Sequence, residues 1–97
     1  MTKEPPMQAL AVPTIHLNGT SKDELLTVLA EASNALADAY DRLKQTAPNG
    51  RDYYPQGDAA FELAREQHMS RLRRLDEIKT EVDWMTVEIG KVGDSRS

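Results

Sequence analysis

The chain has 97 residues, enough for one small domain, with 39% hydrophobic and 29% charged residues and a mean hydropathy of -0.61. It has no cysteine, which excludes disulfides, thiolate metal sites and cysteine nucleophiles. The formal charge of -4 lacks the basic excess of a duplex nucleic-acid binder, and no apolar run approaches the ~20 residues of a membrane span.

Residues 1–13 read as a flexible lead, because Pro5, Pro6 and Pro13 interrupt regular structure and nothing periodic appears. The lead also lacks the basic-then-apolar layout of a signal peptide, so a cytoplasmic protein is expected. Residues 14–17 (Thr-Ile-His-Leu) alternate apolar and polar, an extended pattern with Ile15 and Leu17 inward. Asn18-Gly19 then turns the chain.

A first helix is expected from Thr20 or Ser21 to about Thr46. Ser21 with Glu24 forms a capping box, and Asp23 and Glu24 complement the positive end of the helix dipole. Apolar residues recur at Leu25, Leu29, Ala32, Leu36, Ala39 and Leu43, the alternating 4 and 3 spacing of a coiled-coil seam. Leu26, Ala37, Tyr40 and Ala47 widen one flank. Pro48 and Gly50 stop the helix. The connector, residues 48–57, holds two prolines and two glycines and displays Asn49, Arg51, Asp52, Tyr53 and Tyr54. A second helix is expected from an Asp58 N-cap to about Val92. Its seam runs Phe61, Ala64, His68, Arg71 or Leu72, Leu75, Ile78, Val82, Met85, Ile89 and Val92, ahead of a frayed tail at 93–97.

The fold class is therefore all-α: an antiparallel hairpin of two long helices over residues 14–92, preceded by an extended segment. At ~1.5 Å per residue the helices measure about 40 and 50 Å. The second overhangs the first by roughly two turns, carrying Trp84, Met85, Ile89 and Val92. Residues 14–17 or another subunit must cover that overhang. Two helices close one seam but no core, with Leu26, Tyr40 and Leu63 on open flanks, so a homo-oligomeric bundle is expected.

Three places carry candidate chemistry. In the connector, Arg51 offers a planar fork to phosphate or carboxylate, Tyr53 and Tyr54 can stack, and Asn49 and Asp52 can read polar edges. The plainer account has Asp52 capping or pairing with Arg51 while one tyrosine packs over the helix ends. His68, Arg71 and Arg74 form the second candidate, an anion site on the inner seam. The alternatives are a bridge to Glu31, Asp38 or Asp41, or a slip of the seam to Leu72. The third is the turn at His16 and Asn18, where amides before a helix could hold an anion, although ordinary capping explains it as well. His16 and His68 lack metal-ligand spacing, and no nucleophile elbow, P-loop or dinucleotide fingerprint occurs. A non-enzymatic protein without cofactor or metal is expected.

The entry over residues 14–21 (Thr-Ile-His-Leu-Asn-Gly-Thr-Ser), the connector over 47–57 (Ala-Pro-Asn-Gly-Arg-Asp-Tyr-Tyr-Pro-Gln-Gly) and the His-containing charged helix resemble small helical proteins encoded by tailed phages and prophages. The resemblance spans about residues 13–92 and implies a phage accessory protein in the host cytoplasm. Such proteins often counter host defence, and in size and helical character this one is similar to phage sponges that sequester nucleotide immune signals. The expected function is accordingly capture of a small phosphorylated or nucleotide ligand, with phosphates on Arg51 or Arg71 and Arg74 and bases on Tyr53 or Tyr54. The alternative is a protein–protein inhibitor or adaptor acting on a host or virion protein. DNA mimicry by the acidic first helix ranks last at a net charge of -4.

Overall fold

The computed structural model describes residues 10–16 and 19–92. Helix α1 spans Lys22–Lys44, α2 spans Gly50–Tyr53 and continues into a 3-10 turn at Tyr54–Gln56, and α3 spans Asp58–Lys91. The described chain is all-α, without a strand. Leu17 and Asn18, the lead up to residue 9 and the tail at 93–97 lie outside the described residues.

Local chemistry sets the boundaries of α1. Ser21 adopts an extended conformation, and its Oγ accepts from the Glu24 amide at 3.1 Å, the first half of the expected capping box. At the other end Thr46 Oγ1 donates to the Leu43 carbonyl at 2.7 Å and Arg42 and Lys44 occupy the last turn, where cations offset the dipole. The helix ends at Lys44, two residues earlier than the sequence suggested. Asp58 proves to be the first residue of α3 rather than its N-cap; that position belongs to Gly57.

The long helices lie side by side and antiparallel. Lys22 Nζ reaches the Gly90 and Val92 carbonyls at 3.2 and 2.8 Å, and Ser33 Oγ donates to Asp83 Oδ1 at 2.5 Å. Low numbers on α1 thus meet high numbers on α3. The inward face of α1 consists of Leu25, Leu26, Leu29, Ser33, Leu36, Ala37, Tyr40 and Leu43, each half-buried. Ala32 and Ala39, expected on the seam, are exposed instead. The bulkier flank of Leu26 and Tyr40 removes more apolar area from water than two alanines, which turns the helix about its axis toward that flank. On α3, Leu72 takes the inward position at 7% exposure while Arg71 and Ile78 are exposed. Leucine at that position needs no charge partner.

The core is thin. Among the described residues only Ile15, Leu72, Ile89 and His68 are buried, and α1 buries none fully. Residues 79–86 of α3 are nevertheless all partly covered, which one adjacent helix cannot achieve. The irregular lead of residues 10–16, with Ile15 at 6% exposure, supplies the second cover. Trp84, Met85 and Val92 are thereby half-buried and Ile89 is wholly enclosed.

Candidate functional site

The connector is a structured tip. Asn49 Oδ1 accepts from the Arg51 amide at 3.0 Å, and the Asp52 amide donates to the Asn49 carbonyl at 3.0 Å, which starts α2. The turn closes at Gly57, whose amide donates to Tyr53 and Tyr54 carbonyls at 3.2 and 3.4 Å. Gly57 has φ 96 and ψ 169, a backbone conformation open only to glycine without strain. Phe61, one turn into α3, anchors the tip. Its ring lies 6.2 Å from that of Tyr53 at a 42° tilt, and a Cβ on Gly50 would sit 3.9 Å from Phe61 Cζ.

This arrangement assigns the connector residues different roles. Asn49 is a cap and Tyr53, half-buried, is a packing residue. Arg51 and Asp52 are exposed, and Tyr54 is 86% exposed. Arg51 and Tyr54 are three residues apart on a continuous helical turn, so they share a face. The tip is convex: an aromatic ring and a guanidinium held outward by a capped turn.

His68 is 5% exposed, and its Nδ1 is buried with no hydrogen-bond partner among the described residues. The expected site with Arg71 and Arg74 does not form. Both arginines are exposed, and Arg74 Nε donates to the Ser70 carbonyl at 3.3 Å on its own helix. The reason is angular. His68 points inward, so Arg71 and Arg74 fall progressively off that direction at about 100° per residue. At the entry turn, the Gly19 amide donates to the His16 carbonyl at 3.2 Å. The His16 ring lies over Gly19, where an added Cβ would come within 2.8 Å of Nε2. His16 is exposed, and Asn18 lies outside the described residues. The entry turn and the tip stand at opposite ends of α3, roughly 50 Å apart by helix rise, and cannot meet within one chain.

The strongest polar contact between α1 and α3 is one that pattern reading passed over. Asp83 accepts from Lys79 Nζ at 2.7 Å and from Ser33 Oγ at 2.5 Å. The Lys79 and Ser33 hydrogen bonds together hold its carboxyl below the ordinary carboxylate range, outweighing the opposing desolvation. A serine whose proton points at such an ionised carboxylate is not an activated nucleophile. The trio fixes the register of the two helices. Its signal in the sequence was Ser33 itself, a polar residue between Leu29 and Leu36 on an otherwise apolar line.

Two shallow grooves flank the helices. One of about 220 Å³ is lined by Leu36, Ala37, Tyr40, Asp41, Leu75, Asp76 and Lys79. The other, about 380 Å³, runs along α3 past Glu62, Arg65, Glu66, Met69 and Arg73. In the latter Arg65 is bound to Glu62 at 3.3 Å and lies over the Phe61 ring, so its charge is largely offset. Neither groove includes Arg51, Tyr53 or Tyr54. Among the described residues no cluster of His, Cys, Asp and Glu could hold a metal, and no helix is long and apolar enough to cross a membrane. No protein-family model, curated protein or solved structure matches the chain.

Proposed function

We propose that this chain is a non-enzymatic recognition protein that inserts its tip into a recess of a partner protein. The observation that carries this reading is Tyr54, 86% exposed on a turn that is capped at Asn49, closed at Gly57 and anchored on Phe61. An exposed tyrosine held rigidly beside an arginine brings large contact area at low entropic cost, the usual character of a protein–protein hot spot. A convex peg suits a concave partner better than it suits a nucleotide, which needs walls on several sides. The resemblance to phage accessory proteins supports a host or virion protein as partner and the host cytoplasm as the location. The unit that carries the tip is read as a helical hairpin working in a homo-oligomeric bundle.

A second reading is capture of a nucleotide-type signal, with Arg51 on phosphate and Tyr54 on a base. It draws on the same two exposed side chains and requires another copy to supply the missing walls. The test places a photo-crosslinking amino acid at position 54 and, as a control, at position 31. A discrete host or virion adduct from position 54, lost with Arg51→Glu, is the expected result. Titration heat with cyclic di- or trinucleotides, in the absence of any adduct, favours the second reading. Equal crosslinking from both positions overturns the tip as a recognition element.

A further inference from the structure

The apolar arc of α1 is wider than the one face α3 covers. Next to the inward residues, Val28, Ala32, Ala35 and Ala39 repeat at spacings of 4, 3 and 4 and are all exposed, Val28 at 56%. At about 100° per residue, the arc from Ala35 round through Leu25 to Ala37 spans about 200°, whereas a helix packed on one neighbour uses about half of that. Arcs of this width belong to helices with two neighbours, as in a four-helix bundle.

Helix α3 extends the same face. Arg71, Arg74 and Ile78 lie a comparable turn backward from its inward line, and all three are exposed, Ile78 at 49%. In antiparallel helices a backward turn on each leads to the same side of the pair. The Ser33–Asp83 bond sets the axial levels, placing Ala35 and Ala39 close to the level of Ile78. The result is one surface: small side chains on α1, Ile78 beside them, and an arginine border on α3.

The two borders of this surface differ in charge. Beyond the alanines, α1 carries Glu24, Glu31 and Asp38 at seven-residue intervals, all exposed. Across the face, Arg71 makes no ion pair among the described residues. We propose that a second copy of this chain docks here, related by a twofold axis parallel to the helices. That operation lays α1 against the partner's α3 and brings the acidic border of each copy onto the arginine border of the other, as flanking charges do in helical bundles. Asp38 then lies within one turn of the level of the partner's Arg74. Two helices each about 10 Å across, in contact over some 30 Å, offer roughly 600 Å² per copy, near the ~800 Å² per partner of a standard stable interface. Alanines on this stripe permit the close helix approach that such packing needs.

This deepens the homo-oligomer reading and is independent of what the tip recognises. The test is sedimentation equilibrium of the full chain from 5 to 200 µM, with helicity followed by circular dichroism. Wild type is expected to dimerise, or to form a larger even-numbered assembly. A35E/A39E is expected to weaken association at least 100-fold while retaining helicity, because both positions are exposed. Ala30→Glu, on the opposite flank, is expected to leave association unchanged. Should A35E/A39E lose helicity, charge reversal decides: D38R and R74D each weaken association, and the combined variant recovers most of it. A strictly monomeric wild type overturns both the assembly and the face. An assembly indifferent to A35E/A39E, with helicity intact, or to the charge reversals, overturns the face alone.

Discussion

Ser33→Ala tests the account of how α1 and α3 are locked in register. The substitution deletes an oxygen that donates to an ionised carboxylate at 2.5 Å and leaves the helix, its neighbours and Lys79 in place. A hydrogen bond to a charged group contributes about 1.5–3 kcal/mol when well shielded. The Asp83 side chain is 45% exposed, so solvent screening reduces the expected loss to about 1 kcal/mol. For a domain of this size that corresponds to a fall in Tm of about 4–8 °C, read by thermal circular dichroism at one fixed protein concentration. The pH dependence supplies the decisive signature. Asp83 titrates lower in the folded chain than its ordinary value of 3.8, because Lys79 and Ser33 bind its ionised form. Stabilisation from that form is complete well above the ordinary value and disappears as pH falls through the depressed folded value. The gap between wild type and S33A should therefore be full at pH 7 and at least halved by pH 2. Equal melting at pH 7, or a gap undiminished at pH 2, would refute the reasoning.

Four further outcomes are expected. Lys22→Met removes the cation that caps the Gly90 and Val92 carbonyls; a loss of about 0.5–1 kcal/mol and faster amide hydrogen exchange in the last turn of α3 should follow. His68→Leu replaces a buried imidazole whose Nδ1 has no partner, and should raise the urea midpoint by the equivalent of about 1 kcal/mol. Gly57→Ala has open space for its methyl group but imposes a side chain at φ 96, so a cost of about 1–3 kcal/mol should appear in the same denaturation assay. Tyr54→Ala should change stability by less than about 0.5 kcal/mol and abolish crosslinked partner capture, since the ring is 86% exposed.

The helices were legible because their signals are local. Ser21 and Glu24, Pro48 and Gly50, and the recurrence of leucine sit within a few residues of what they control. The contents of the connector were only partly legible. Asn49, Arg51, Asp52, Tyr53 and Tyr54 stood out together, yet their division into a cap, a packing ring and an exposed pair depends on Phe61 lying beneath Tyr53. The proposed grouping of His68 with Arg71 and Arg74 failed because a seam read at 3- and 4-residue steps leaves its phase open by one position. Leu72 competed for the inward place and took it.

Elements, caps and the absence of thiol chemistry were thus decided by covalent order and near-neighbour propensity. The rotation of each helix about its axis was decided elsewhere. It required weighing Leu26 and Tyr40 against Ala32 and Ala39, joining Ser33 to Asp83 across 50 positions, and laying Ile15 over the far side of α3. Those outcomes depend on area removed from water by residues distant along the chain, a quantity that exists only once the helices have met.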